Sequence, residues 1–551
     1  MKLKPYLLTL LILYSFNYEI NAQIKERELP KSWDSLTFGG KFIDRFLPMP
    51  MIGKLTSDTW GAKNVIPRYT DIGIEDSINS YWGGNALMGK DNKYHLFVCG
   101  WPENSPKGHM FWSKSTVFHT VSENSFGPYK IKDTIGPGHN PEIFQLKDGR
   151  YVVYVIDGYY ISNSLNGPWI YDKFEFDNRD RKIIEGLSNL SFAKREDGSI
   201  IMVCRGGGIW FSKTGTTPYN QVTEKSVYPP VEGEFEDPII WKTNIQYHMI
   251  VNDWLGRIAY YLRSKDGVNW KVDPGEAYST GISNYEDGTK EKWFKYERIK
   301  MLQDKYGRAT QAHFAVIDTI KWNDLQNDNH SSKHIVIPLT KGKLATILNK
   351  NKITDKTKMI KVRIEAESGF NPHTDIDFNS LRFGATEQVN FGKGAKVITT
   401  EKSGKDIIIT FNGKGNGLTD DNFAAKIIGK TNEGKLLFAY VRLPKVNYIE
   451  PILSARMPKI KSTASGLDIS LEIENFGLVT SKISEVKLVY LKDNIETVIA
   501  KAKIPKLKPF EKTTLTLSCD TILNKGEVYS VKTIINSPNQ KPTFLHGEIT
   551  L

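Results

Sequence analysis

Cysteine is scarce. Cys99, Cys204 and Cys519 are the only three in 551 residues. That is too few for a disulfide framework, and no CxxC pair or Cys/His spacing offers a zinc site. Cys99 in Leu96-Phe97-Val98-Cys99 and Cys204 in Ile201-Met202-Val203-Cys204 read as small hydrophobes on buried strands. Long apolar runs are absent beyond the N-terminus: none approaches the roughly 18 residues that suggest a membrane span. Sustained helical periodicity is missing before about residue 320, which excludes helical bundles and alternating α/β folds there. No helix-turn-helix, zinc-finger or RNA-binding signature occurs, so a net charge of +12 and a pI near 9.1 are not read as a nucleic-acid surface. No cofactor motif is found; a structural or catalytic divalent cation stays open, and no metal ligands are assigned.

The N-terminus has the form of a signal peptide. Lys2 and Lys4 precede an apolar stretch from Leu7 to Phe16, and Ile20-Asn21-Ala22 offers cleavage before Gln23. Residues 1–22 are therefore expected to be removed, leaving a soluble periplasmic or secreted protein. The length suggests two to four domains. Twelve Trp and 25 Tyr suit aromatic-rich strands, most of them core, with some rings free to stack on sugars. The basic balance either attracts sulfated or uronic polysaccharide or only keeps the surface soluble.

A repeat organises the first 338 residues. Its units begin at Asn85, Asn140, Asn189, Asp237 and Arg298, about 50–60 residues apart. Each has a polar head, an apolar strand, a tight turn and a second apolar strand. The turn is Asp148-Gly149 in the second unit and Asp197-Gly198 in the third, a strong hairpin signal. Trp112-Ser113-Lys114, Ile161-Ser162-Asn163, Phe211-Ser212-Lys213 and Leu262-Arg263-Ser264 are expected to open a further strand. Gly127-Pro128-Tyr129, Gly167-Pro168-Trp169 or Asp266-Gly267 closes the unit. Four strands repeated five times predict a five-bladed β-propeller over residues 23–338. Six blades, or an N-terminal strand completing the last one, are the alternatives.

Beyond Pro338 the texture changes. Residues 339–450 carry lysine-rich strands such as Ile407 to Phe411, and residues 451–551 alternate cleanly, as in Leu467 to Ile473 and Val486 to Tyr490. Both read as β-sandwiches, so the chain is expected to be all-β: a propeller followed by two sandwiches. The last segment, with Ile473-Glu474-Asn475-Phe476-Gly477 and the strand Lys512 to Leu517, resembles a CARDB-like immunoglobulin-fold module, which implies a spacing or docking role.

The heads Asn140-Pro141-Glu142-Ile143-Phe144 and Glu236-Asp237-Pro238-Ile239-Ile240, and the Ser164-to-Trp169 segment, resemble the five-bladed glycoside hydrolases around family 43, over roughly residues 80–320. The resemblance implies carbohydrate chemistry at one end of a propeller. Those enzymes carry an Asp, an Asp and a Glu at the first three heads. Here the matching residues are Asn85, Asn140 and Asn189, and an amide takes no proton at neutral pH. The family mechanism does not transfer. Tyr81-Trp82-Gly83-Gly84-Asn85, Gly138-His139-Asn140-Pro141-Glu142 and Tyr296-Glu297-Arg298 are foreign to it.

In a propeller the residues before each inner strand converge on the axis. The converging set is Trp82 with Asn85, His139 with Asn140, Ser188 with Asn189, Glu236 with Asp237, and Glu297 with Arg298. Arg205, before three glycines, is a candidate anion clamp, and His109 is the best of the remaining histidines. Asn140 and Asp237 can equally cap turns, Glu297 and Arg298 can pair with each other, and Trp82 is either core or a sugar platform. As catalytic candidates stand His139, Glu236, Asp237 and Glu297; as substrate-binding candidates Trp82, Asn85, Asn140, Asn189, Arg205 and Arg298. Two enzyme chemistries fit an oligosaccharide substrate, with an anionic one favoured. Hydrolysis would use two of the carboxylates Glu142, Glu236, Asp237 and Glu297. Elimination, by a lyase or dehydratase, would use His139 as base with arginine or amide neutralising a uronate. Hydrolysis is the first reading, elimination the second, and a non-catalytic carbohydrate-binding propeller the third.

Overall fold

The computed structural model describes residues 24–57, 65–492, 495–521, 523–524 and 526–550; the expected signal peptide lies outside them. Among the described residues regular structure is almost all strand, the one α-helix being the four-residue Thr386–Val389. Among these residues no helix is long and apolar enough to cross a membrane.

Five antiparallel sheets fill residues 79–338. The first holds Asn79–Met88, Tyr94–Pro102, Thr116–Ser122 and Lys130–Pro137; the second Glu142–Gln145, Tyr151–Val155, Gly158–Ser162 and Ile170–Lys173. The third holds Ser191–Lys194, Ile200–Val203, Ile209–Ser212 and Tyr219–Gln221, with Phe176–Asp177 added in parallel to Tyr219–Gln221. The fourth holds Phe235–Lys242, Tyr247–Asp253, Ile258–Ser264 and Lys271–Ser279; the fifth Lys295–Gln303, Ala309–Ile317 and Ser332–Pro338. The Asp-Gly turns form the expected hairpins, with Gly149 and Gly198 at φ 92° and 86°, where a side chain would be strained.

The first strands of the sheets meet around one axis. Asn79–Met88 touches Glu142–Gln145 on one side and Lys295–Gln303 on the other, and Phe235–Lys242 touches Ser191–Lys194 and Lys295–Gln303. Glu142 closes the circuit by accepting weak bonds from Ser191 Oγ (3.4 Å) and Phe192 N (3.5 Å). Ile74 bridges His334 on the outer strand of the fifth sheet, so an N-terminal segment touches the edge of that three-stranded sheet.

The motifs expected to open a further strand do something else. Ser162, Ser212 and Ser264 end the third strands, and each hydroxyl accepts a turn N–H, from Ser164, Gly215 and Gly267. In the first sheet Ser122 has that role, while Trp112-Ser113-Lys114 lies on the 3-10 helix Gly108–Lys114. A serine that satisfies the turn's N–H groups terminates a strand rather than starting one.

Two further pairs of sheets follow. Ile360, Val362, Ile409 and Phe411 of one pack with Phe383, Ile427, Leu437 and Val441 of the next in a single core. Leu471 and Ile473 pack likewise with Val486, Ile535 and Leu545. Lys426 Nζ donates to Gly39 O at 2.8 Å, tying this N-terminal stretch to the first of these pairs. Arg179 pairs with Glu474 at 2.9 Å, and Phe476 buries against Phe211, tying the third sheet to the last pair.

Candidate functional site

All five inner strands kink at the same level. Asn140, Asn189, Asp237 and Arg298 have φ of 55°, 52°, 53° and 53°, the left-handed region that non-glycine residues rarely enter. Strand pairing skips from Glu236 to Ile239, from Glu297 to Lys300 and from Trp82 to Asn85. The first-sheet residue at the head level is therefore Gly83, φ 62°, and not Asn85. A Cβ on Gly83 would lie 3.5 Å from Asn140 Cα and 3.8 Å from Arg298 Cβ, between its two neighbours on the ring. Asn85 sits two residues deeper, where its amide bonds Ile143 N (2.7 Å) and Ile143 O (3.2 Å). Its expected ligand role is replaced by a strand-to-strand brace.

Glu142, Ser191 and Lys300 occupy that same deeper level. Lys300 donates to Glu142 across the axis, and both are buried. Burial raises the Glu142 carboxyl and Lys300 opposes it. Glu142, one of the carboxylates available in the sequence, is thus enclosed beneath the mouth.

Just above the heads stand Trp82, His139, Ser188, Glu236 and Glu297. Glu236 retains partial exposure, accepts from Asn189 Nδ2 at 2.6 Å and lies 3.5 Å from Arg205 Nη1. Asp237 is fully buried; Arg298 approaches it with Nη1 at 2.8 Å and backbone N at 3.2 Å. Burial raises Asp237 to about 7; Glu236 and Glu297 push the same way, while Arg298 pulls down. Burial would raise Glu297 too, but Lys321 at 2.5 Å and Lys295 at 3.6 Å overcome it and hold the carboxyl at about 2. The sequence alternative in which Glu297 and Arg298 pair with each other gives way to partners from elsewhere.

Other candidates take up structural positions. His139, a catalytic candidate of the converging set, is 7% exposed, with Nδ1 3.0 Å from Ser115 Oγ and 3.4 Å from Cys99 Sγ. Burial and the nearby Arg298 keep its pKa well below 6.5, so the ring is neutral. Trp82 is 1% exposed, edge-on to His109, with Lys321 Nζ 5.0 Å from its ring centre. It is core and not an open platform. His109 is buried, with Nδ1 2.7 Å from Ser332 Oγ. Trp112 and Trp254 keep partial exposure at this end.

Arg205 stands where the second strand of the third sheet ends, one-third exposed, between Glu236 and Glu185 (3.7 Å). The glycines after it serve the loop: a Cβ on Gly206 would strike Ile184 O at 2.0 Å, and Gly207 has φ 78°. Among the described residues neither Oδ1 nor Nδ2 of the Asn140 amide, both buried, has a hydrogen-bond partner. Unmet buried hydrogen bonds at a ring of polar heads mark a place for ligand or water.

Sequence reading missed Lys295, Lys300 and Lys321. Lys300 follows Arg298 by two, as Glu142 follows Asn140, and that shared offset was a usable signal. Lys321, on the 3-10 turn Lys321–Asn323, lies outside the repeat. Among the described residues no group of three or more His, Cys, Asp or Glu is arranged to hold a metal ion.

No protein-family model and no curated protein matches the chain. Solved structures resemble it loosely. An endo-arabinase from Bacteroides thetaiotaomicron is 13% identical over 52% of this chain and 97% of its own, with a TM-score of 0.31. A thermostable family-43 glycoside hydrolase is 12% identical over 47% and 90%, TM-score 0.31. The family-43 protein BlXynB from Bacillus licheniformis is 9% identical over 86% and 89%, TM-score 0.32. At such values no residue role carries over, and only this chain's own side chains speak to its chemistry.

Proposed function

We propose that the chain is an exported carbohydrate-active enzyme that hydrolyses glycosidic bonds in oligosaccharides of an anionic, sulfated or uronic-acid-containing polysaccharide. Residues 23–338 would form a five-bladed catalytic propeller, and residues 339–450 and 451–551 two accessory β-sandwiches. The observation that carries this reading is the adjacent pair Glu236 and Asp237. Two neighbouring carboxylates face opposite environments: Glu236 reaches the mouth between Asn189 and Arg205, while Asp237 is buried on Arg298 and raised to about 7. A carboxyl held protonated towards neutrality beside a second, solvent-reaching carboxylate is the kind of pair from which glycoside hydrolysis draws its acid and base. Glu236 would act on substrate, Asp237 would tune it from below, and Asn140 and Asn189 would supply amide bonds. Arg205, held only by long contacts to Glu236 (3.5 Å) and Glu185 (3.7 Å), would take the substrate's anionic group.

Elimination keeps one support, the unprotonated imidazole of His139 beside the heads, and the burial and Arg298 that hold it neutral also weaken it as a base. The test is incubation of the full chain with neutral and uronate-containing oligosaccharides. New reducing ends without ultraviolet absorbance support hydrolysis. An absorbing unsaturated product replaces it with elimination, and retention without turnover replaces it with binding alone. Arg205→Met should raise KM for uronate-containing substrates by at least about tenfold, as loss of a charge-assisted hydrogen bond implies, and leave neutral ones unaffected.

A further inference from the structure

At the end of the five sheets opposite the heads, a cavity of about 140 Å³ lies against the first of the two further pairs of sheets. Its walls come from the Thr243–Gln246 turn of the fourth sheet, the Tyr306–Arg308 turn of the fifth, and Phe438 and Tyr440. At roughly 10–15 Å³ of free space per water, it holds on the order of ten waters, the space of one sugar ring. Exposed Asn244 and Thr346 stand at its edge.

Arg45 lines this cavity and is 6% exposed. Its guanidinium carbon lies 4.4 Å from the Phe42 ring centre and 4.3 Å from that of Phe438, and Nη2 donates to Tyr440 Oη at 3.1 Å. Among the described residues no carboxylate ion-pairs with it: its electrostatic partners are the hydroxyls of Tyr440 and Tyr261. A buried cation without an anion is costly. The other charged residues on the wall have counter-charges: Glu365 lines the cavity with Lys343 and lies 3.6 Å from Arg363, and Arg308 is already taken by Asp304 and Glu367, so Arg45 is the wall cation left without a carboxylate among the described residues. Lys426, nearby, is lowered to about 7 by burial and by Arg45. Trp241, Phe438 and Tyr440 supply aromatic surface, which suits the apolar face of a sugar.

We propose that this cavity is a second binding site for one ring-bearing carboxylate of monosaccharide size, a uronate, with its carboxylate on Arg45 and its ring against the aromatic walls. The site is remote from the heads and does not depend on the hydrolase reading. The full chain would be titrated with glucuronate, glucose and acetate by calorimetry and by tryptophan fluorescence. Glucuronate should bind saturably with roughly millimolar affinity, and glucose and acetate at least about tenfold more weakly, as one lost charge-assisted bond implies. Arg45→Gln should lose this binding by a similar factor. Thr346→Trp, which blocks the edge without touching Arg45, should do the same and decides the matter if Arg45→Gln fails to fold. Glu236→Gln and Arg205→Met should leave the cavity's binding intact. No saturable glucuronate signal, equal binding of glucose, or glucuronate binding that survives Thr346→Trp would overturn the proposal.

Discussion

Asp237 Oδ1 lies 2.8 Å from Arg298 Nη1, and both residues occupy the left-handed kink of neighbouring inner strands. The pair buries an anion and a cation at the axis, yet burial and two neighbouring carboxylates still raise Asp237 to about 7. A carboxyl raised in the folded state binds its proton more tightly there than when unfolded. Its contribution to stability is therefore fullest at low pH and is lost as pH rises from the ordinary carboxylate range through about 7. Denaturation midpoints compared with those of Asp237→Asn should diverge across this window. The limb of the kcat/KM profile near neutrality should move or vanish in the variant. Identical stability and activity profiles in the two proteins would remove Asp237 from the titrating set.

Glu236 is the partly exposed carboxylate of the adjacent pair. Glu236→Gln keeps size and a hydrogen bond to Asn189 but removes the charge. Under the hydrolase reading turnover should fall by about 10²- to 10⁴-fold, the usual weight of general acid–base groups, with the thermal midpoint nearly unchanged. Full turnover in this variant would exclude the assignment.

Lys300 and Glu142 test the axis itself. Removing one partner of a buried ion pair strands the other, at roughly 3–5 kcal/mol. Lys300→Met should therefore lower the denaturation midpoint steeply, and adding Glu142→Leu should recover much of the loss. Equal destabilisation by the single and double variants would mean that the pair is not coupled.

The all-β character was legible because its signals are local: apolar strands and a polar head recur in each unit, with Asp-Gly hairpins in the second and third. The register of the first head was not. Asn85 matched the other heads by residue type, whereas the position itself is set by the skipped pairing, which glycine fills without a side chain to announce it. The partners of Glu297 were hidden for a different reason. Lys321 reaches it from the connection between the second and third strands of the fifth sheet, a stretch with no counterpart in the repeated motif. The depth of His139 and Trp82 was not legible either: Trp101 on the second strand and Trp112 and Ser115 in the connection after it pack on His139, and Trp82 is edge-on to His109.

Gly83 and Gly84 should respond oppositely to substitution. Gly83 has φ 62° with its would-be Cβ 3.4 Å from Asn140 Oδ1, and Asn is among the residues that tolerate left-handed backbone. Gly83→Asn should fold with a loss within about 1–2 kcal/mol. A Cβ on Gly84, φ 94°, would lie 2.2 Å from Phe97 O, a backbone atom that cannot yield cheaply. Gly84→Ala should cost more than Gly83→Asn in the same thermal unfolding assay, and the reverse order would contradict the shared register of the five heads.

His139 separates the two enzyme chemistries. Its ring is neutral because burial and Arg298 hold its pKa well below 6.5, so across the neutral range it carries no titration of its own to lend to activity. Its Nδ1 faces Ser115 and Cys99, and its face packs on Trp112 at 4.9 Å. If Glu236 and Asp237 do the chemistry, His139 is a packing residue behind the mouth. His139→Ala should then cost about 1–3 kcal/mol of stability, as truncations in a packed site do. It should raise KM modestly, leave kcat within about threefold, and keep the pH profile of the parent. Conservative replacement by Gln, which can still bond Ser115, should restore most of the stability. Turnover abolished in both variants with oligosaccharide binding retained would instead assign the proton abstraction to His139, and the products should then be unsaturated and absorbing.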